Sequence, residues 1–159
     1  MERKIIPAKP EHLEAAAEIA VAAWTPIREI FRRELGDDIY EGFFNDWQAE
    51  KRRAVTQELT GGHGYVVLLE GRVAGFISFR VDGGGRTATI GTNAVAADCR
   101  GLGLGPYMYK FVQEELRRMG VEFVKVTTGG DEGHAPARRA YQKTGFENFL
   151  PSVCYYKKL

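Results

Sequence analysis

Cysteine is scarce: only Cys99 and Cys154 occur in 159 residues. No short spacing relates them, which excludes a disulfide scaffold and a Cys-x-x-Cys metal site. Histidine is nearly as rare. His12, His63 and His134 share no ligand spacing, so no metal centre is expected. Charge of one sign is also missing, with 22 Lys and Arg against 21 Asp and Glu and a formal net charge of +1. No bulk field draws nucleic acid or an anionic membrane. The basic pairs Arg32-Arg33, Arg52-Arg53, Arg117-Arg118, Arg138-Arg139 and Lys157-Lys158 are scattered among acids and read as solvated faces. No apolar run approaches the length of a membrane span. Met1 to Pro7 lacks the apolar stretch of a signal peptide. There is no repeat, low-complexity segment or linker. These absences leave one globular domain over residues 1–159, cytoplasmic, without nucleic-acid or membrane partners, and with a homodimer left open.

What is present centres on Arg100-Gly101-Leu102-Gly103-Leu104-Gly105-Pro106. Glycines let a backbone turn sharply and approach a ligand closely. The free N–H groups of a first helical turn, with the positive end of the helix dipole, suit a pyrophosphate. Arg100 adds a fixed positive charge. Pro106 costs little where its N–H would have no intrahelical partner. A dinucleotide fingerprint fails on spacing: begun at Gly101 it needs glycine at Pro106, and begun at Gly103 it needs glycine at Met108. A P-loop needs Gly-Lys-Ser/Thr at the helix start, which is absent.

The flanking pattern places this loop. Arg3 to Pro7 reads as a short strand. Pro10 opens a helix carrying Leu13, Ala16, Ala17, Ala20 and Trp24 at helical spacing. Thr25-Pro26 is expected to break it and start a second helix, with Thr25 as N-cap and Gly36 at its end. Asp37 or Asp38 caps a third helical piece that runs to Leu59, with Tyr40, Phe43, Phe44 and Trp47 on one stripe. These aromatics are core, or they line a pocket for an organic cation. Glu29, Glu34, Asp37, Asp38, Glu41 and Asp46 would favour the latter. Tyr65 to Leu69, Val73 to Val81 and Thr87 to Ala96 form an antiparallel meander through Glu70-Gly71 and Asp82 to Gly85. Leu104, Met108, Phe111, Val112, Leu116 and Met119 mark a helix ended by Gly120, and Val121 to Thr127 is the next strand. Strand, helix, strand at this length implies a parallel pair with a right-handed crossover, and ligands bind beyond the strand's carboxyl end. Pro136 begins a further helix through Ala137, Ala140 and Tyr141 to Gly145, and Ser152 to Leu159 reads as a final strand.

Arg100-x-x-Gly103-x-Gly105, after a strand ending at Asn93-Ala94-Val95, resembles the acetyl-CoA loop of the GCN5-related N-acetyltransferases (GNAT). The element order fits nearly the whole chain. The resemblance implies an α/β (α+β) fold. Its mixed central sheet has about six to seven strands, an antiparallel N-terminal meander, a parallel βαβ crossover and helices on both faces. It implies that the amides of Gly101, Leu102, Gly103, Leu104 and Gly105, with Arg100, hold the CoA pyrophosphate. Asn93, Ala94 and Val95 then pair with the pantetheine arm, and the Val95 N–H polarises the thioester carbonyl. Ala137, Tyr141 and Gly145-Phe146 are similar to the family's second CoA-contacting segment. Tyr141 is implied as general acid for the leaving thiolate; a phenol, with pKa near ~10, can share a thiol's proton. The family's usual asparagine seven residues before that tyrosine is His134 here, which can donate a hydrogen bond to CoA or titrate near neutrality. Thr89 stands where some members carry a glutamate base, which leaves Glu29, Asp131, His134 or a water chain for the proton. The implied reaction is direct acetyl transfer from acetyl-CoA, as co-substrate, to a primary amine of a small molecule. A protein N-terminus or lysine as acceptor, and a non-catalytic acyl-CoA-binding module, stay open as alternatives.

Overall fold

A computed structural model describes residues 1–159. The chain runs β1 (Arg3–Pro7), α1 (Leu13–Leu35), α2 (Asp37–Phe44), α3 (Trp47–Thr60), β2 (Gly64–Leu69), β3 (Arg72–Val81), β4 (Thr87–Val95), α4 (Leu104–Arg118), β5 (Phe123–Val126) and α5 (Ala135–Lys143). The sheet order is β1-β2-β3-β4-β5. The first four strands pair antiparallel, and β4 and β5 pair parallel. This is the mixed α/β architecture the pattern implies.

The alternating strand residues feed two cores. On one sheet face Ile77, Met108, Tyr109, Val112, Leu116 and Tyr141 pack β3 against α4 and α5. On the other, Ala16, Ala20, Val55, Leu59, Val66 and Phe76 pack α1 and α3 on the sheet. Small alanines on α1 let that helix lie close. No helix is long and apolar enough to cross a membrane.

Three expectations fail. Thr25-Pro26 does not break α1, which runs unbroken through Pro26. The ring removes one backbone donor, but Ala22 and Pro26 are both exposed, so the orphaned carbonyl reaches solvent. Thr25, expected as a cap, instead donates its hydroxyl to the Val21 carbonyl at 2.7 Å. Second, the piece expected from Asp37 to Leu59 is two helices, divided at Asn45-Asp46. Third, the sheet has five strands, not six or seven, because Ser152 to Leu159 forms no strand. Alternation of side chains is only half of a strand; the other half is a backbone edge to pair with. Beyond Phe146 the chain makes no backbone–backbone hydrogen bond. Val153 and Tyr155 are 77% and 92% exposed, and Phe123 on the free edge of β5 is 57% exposed. Tyr156 instead packs edge-on against Phe43, with ring centroids 5.0 Å apart.

Two irregularities in β4 build the site. Parallel pairing with β5 stops at Ile90↔Val126, while β4 continues to Val95. The two strands therefore part and leave a gap. Against β3, Ile77 faces Asn93 but Phe79 faces Ile90, so one extra β4 residue bulges opposite Ser78. Glu58 of α3 fills the bulge. It accepts from the Ser78 hydroxyl at 2.8 Å, the Thr92 N–H at 2.7 Å and the Thr92 hydroxyl at 2.9 Å.

Candidate active site

The gap between β4 and β5 opens into a crevice of about 680 Å³. Its walls are the end of β4, the loop before α4, the start of α5 and one side of α1. Asn93, Ala94, Val95, Arg100, Gly101, Gly103, Leu104, Gly105, His134, Ala137 and Tyr141 all line it. Among the expected site residues Leu102 alone is absent from the lining; its side chain is 39% exposed.

The loop has the conformation its glycines allow. Gly101 and Gly103 sit at φ +79° and +74°, where a Cβ would be strained. Gly103 caps α4 from the left-handed region. No backbone or side-chain acceptor takes the N–H groups of Gly101, Leu102, Gly103, Leu104 or Gly105. Five unpaired amides thus stand at the N-terminus of a 15-residue helix, next to exposed Arg100. That donor set, with its helix dipole, fits a pyrophosphate.

The strand edge is equally open. The Ala96 N–H bonds the Ala74 carbonyl at 2.8 Å. By antiparallel alternation the Asn93 and Val95 N–H groups point away from β3. They face the gap where β5 has ended.

Tyr141, near the C-terminal end of α5, is buried at the crevice wall. The Asn93 amide donates to its phenol oxygen at 3.2 Å and to the Gly91 carbonyl at 3.0 Å. The Tyr109 hydroxyl donates to the Asn93 carbonyl oxygen at 2.7 Å. This chain leaves the Tyr141 O–H free to donate into the crevice. Burial, reinforced by the neighbouring Tyr141, pushes the Tyr109 phenol well above its ordinary value, so it stays a neutral donor.

His134 lines the crevice with Nδ1 2.6 Å from Asp131 Oδ1. Burial works to raise the Asp131 carboxyl, but the hydrogen bond and charge of His134 outweigh it and hold it below its usual range. Thr89 lines the crevice with its hydroxyl buried and unpartnered. Glu29 is exposed on α1, outside the crevice. No group of three His, Cys, Asp or Glu side chains is placed to hold a metal ion.

Sequence reasoning missed Tyr109, Glu58, Arg28 and Lys51. Tyr109 follows Met108 on the buried face of α4 and looks like any core aromatic. Glu58 sits among charged residues of α3, and only the β4 bulge, invisible in a strand pattern, gives it partners. The acids expected to draw a cation are all exposed. Asp37 and Glu41 pair with Arg32, Asp46 with Arg53, and Asp38 with Lys158. The charged groups that meet the aromatic stripe are Arg28, over Phe44 and Trp47, and Arg32, over Tyr40, while Lys51 lies over Trp24 of α1.

Open amides at a helix start, a parted strand edge and a buried phenol thus meet at one crevice. The acetyltransferase (GNAT) family model matches residues 24–146, and the chain belongs to that family of acyl-CoA-dependent N-acetyltransferases. Comparison with curated proteins finds no match. Among solved structures, the chain is similar to the PaiA N-acetyltransferase of Thermoplasma acidophilum in complex with coenzyme A. The TM-score is 0.74 and identity 13%, over 98% of this chain and 96% of that one. The ribosomal-protein-S18-alanine N-acetyltransferase of Escherichia coli matches with TM-score 0.65 and 18% identity, over 94% and 80%. AAC(6')-Iy, bound to the bisubstrate analogue CoA-S-monomethyl-acetylneamine, matches with TM-score 0.59 and 18% identity over all of both chains. At these identities the likeness speaks for the fold alone and leaves the acceptor undefined.

Proposed function

We propose that the protein moves the acetyl group of acetyl-CoA to a primary amine of a small molecule. The observation that carries this is the placement of the open amides of Gly101, Gly103, Leu104 and Gly105 and the Asn93-supported phenol of Tyr141 along one crevice. Acetyl-CoA supplies an activated acyl carbon and a sulfur leaving group. Arg100 and the amides of Gly101 to Gly105 hold the pyrophosphate. The Asn93–Val95 edge aligns the pantetheine arm, and the Val95 N–H polarises the carbonyl. Ala137 and His134 close the crevice on the α5 side. Tyr141 donates its proton to the departing sulfur. Ala23, Trp24 and Ile27 of α1 give the crevice an apolar wall, which supports a small amine as acceptor. Related structures name both kinds of acceptor, an alanine of ribosomal protein S18 and an acetylneamine analogue.

Thiol release from acetyl-CoA with a panel of small amines, N-terminal peptides and lysine peptides tests the reading. Turnover confined to peptides would overturn the small-molecule assignment. Arg100→Ala is expected to weaken CoA binding about tenfold, the worth of one exposed charge-assisted contact to phosphate. Calorimetry reads this directly, and unchanged affinity counts against the pyrophosphate assignment. Residence in the cytoplasm remains part of the proposal.

A homodimer is likewise a proposal. It is supported by the free edge of β5 and the exposed apolar side chains Phe149, Leu150, Val153 and Tyr155. Light scattering should give a dimer for the full chain and a monomer for a variant ending at Asn148. A monomeric full chain overturns it.

A further inference from the structure

We propose that Arg28 and Lys51 form an anion-binding subsite beside the crevice, and that the amine acceptor carries a carboxylate or phosphonate held there. This rests on the acetyl-transfer reading and adds the chemical class of the acceptor.

Trp24 is part of the crevice wall. Arg28 follows it by one turn of α1, on the same side of the helix. The Arg28 guanidinium lies over the Phe44 ring at 4.6 Å from its centroid, with Phe31 at 5.1 Å and Trp47 at 5.6 Å. From α3, the Lys51 ammonium lies 4.1 Å from the Trp24 ring centroid. Two cations from two helices therefore stand over neighbouring aromatic faces, close enough for the charge of Arg28 to act on Lys51, and the Trp24 ring under Lys51 belongs to the crevice wall.

Neither cation has a carboxylate. Other basic residues of these helices do: Arg32 takes Asp37 and Glu41, Arg52 takes Glu14 and Glu18, and Arg53 takes Asp46. Glu58 is near enough for its charge to act on Lys51, but its oxygens are bonded to Ser78 and Thr92. The Arg28 Nε is buried and has no hydrogen-bond partner. Aromatic faces attract a cation but leave its N–H groups unsatisfied.

The electrostatics point the same way. Burial lowers the Lys51 ammonium below its ordinary range and the charge of Arg28 lowers it further, against the pull of Glu58. Burial also lowers Arg28, against Tyr40, Tyr156 and Glu50. Two neighbouring, half-buried, unpaired like charges are costly. An anion bound to both removes that cost and gains charge-assisted hydrogen bonds, and the planar guanidinium suits a carboxylate or phosphonate.

The test is an acceptor panel in which each aminocarboxylate or aminophosphonate is matched with its uncharged amide or ester. Wild type is expected to favour the anionic member by about 10- to 100-fold in kcat/KM, carried in KM. Lys51→Gln and Arg28→Gln are expected to erase that preference while acetyl-CoA affinity stays unchanged. If Arg28→Gln fails to fold, Lys51→Gln and Arg28→Lys carry the measurement. Calorimetric titration of the anionic amines onto the CoA-loaded protein reads the subsite without turnover. Binding that the variants abolish, with no turnover on any amine, upholds the subsite and removes the acetyl-transfer reading. Equal kcat/KM within the matched pairs, a preference that survives both substitutions, or failure of every anionic amine to bind overturns the subsite.

Discussion

Tyr141→Phe is expected to lower kcat by about 100-fold and to leave acetyl-CoA binding nearly unchanged. The substitution removes one oxygen. That oxygen accepts from the Asn93 amide at 3.2 Å. Asn93 is itself fixed by the Tyr109 hydroxyl at 2.7 Å and the Gly91 carbonyl at 3.0 Å. Every donor in this chain except the Tyr141 O–H is already committed. The ring of Tyr141 packs on Tyr109 and Phe146, with centroids 4.6 Å and 5.8 Å away, and phenylalanine keeps both contacts. The loss should therefore fall on proton delivery to the leaving sulfur and not on folding. Thiol release gives kcat, and calorimetry gives CoA affinity. A kcat within about threefold of wild type would remove Tyr141 from the mechanism. Asn93→Ala should cost about tenfold, since the phenol stays but loses its support. The expected order of effects is thus phenol first, amide second.

The donor side of this site was legible because it is local. Strand, Arg100 to Pro106 and the α4 stripe lie within one stretch of chain, and glycine spacing alone separates this loop from the dinucleotide and phosphate-loop patterns. The meander, the crossover and the α5 segment followed from periodicity, and all the expected site residues but Leu102 line the crevice. What stayed hidden depends on contacts between distant segments. Tyr109, Asn93 and Tyr141 come from three elements, and nothing in their neighbourhoods marks them as a chain. The β4 bulge is a register event, set by which β3 residue faces which, and a single strand carries no register. Pro26 read as a breaker because its missing donor was weighed without knowing that the lost bond lies on an exposed face. Ser152 to Leu159 read as a strand because alternation reports side chains and not edges. The aromatic stripe was found, but its charge was judged from the nearest acids in sequence. Helical geometry turns those acids outward and brings Arg28 and Arg32 onto the stripe and Lys51 onto Trp24.

The Glu58 network makes the second large prediction. Gly91→Ala is expected to destabilise the fold by about 2–4 kcal/mol. A Cβ at Gly91 would stand 2.7 Å from Glu58 Oε2 and closer still to Ser78 Oγ, so one of the two must leave. Each belongs to the same cluster, in which Glu58 accepts from Ser78 and twice from Thr92. Displacing the carboxylate strands the Thr92 N–H and two hydroxyls at a bulge, where no neighbouring strand can take them. Ser78 is buried, so water does not make up the loss. Glu58→Ala should also destabilise, by about 1–3 kcal/mol, through the same stranded donors. The two substitutions act on one network, so Gly91→Ala should cost far less in the Glu58→Ala background than in wild type. Urea denaturation of the four proteins closes the cycle. Additive costs would mean that Gly91 serves only its own backbone and that Glu58 does not hold the bulge. Non-additive costs tie α3 to the kink in β4 that turns Asn93 toward Tyr141. Because Lys51 lies two turns earlier on α3, the same helix then bears on both the leaving-group end of the crevice and the proposed anion subsite.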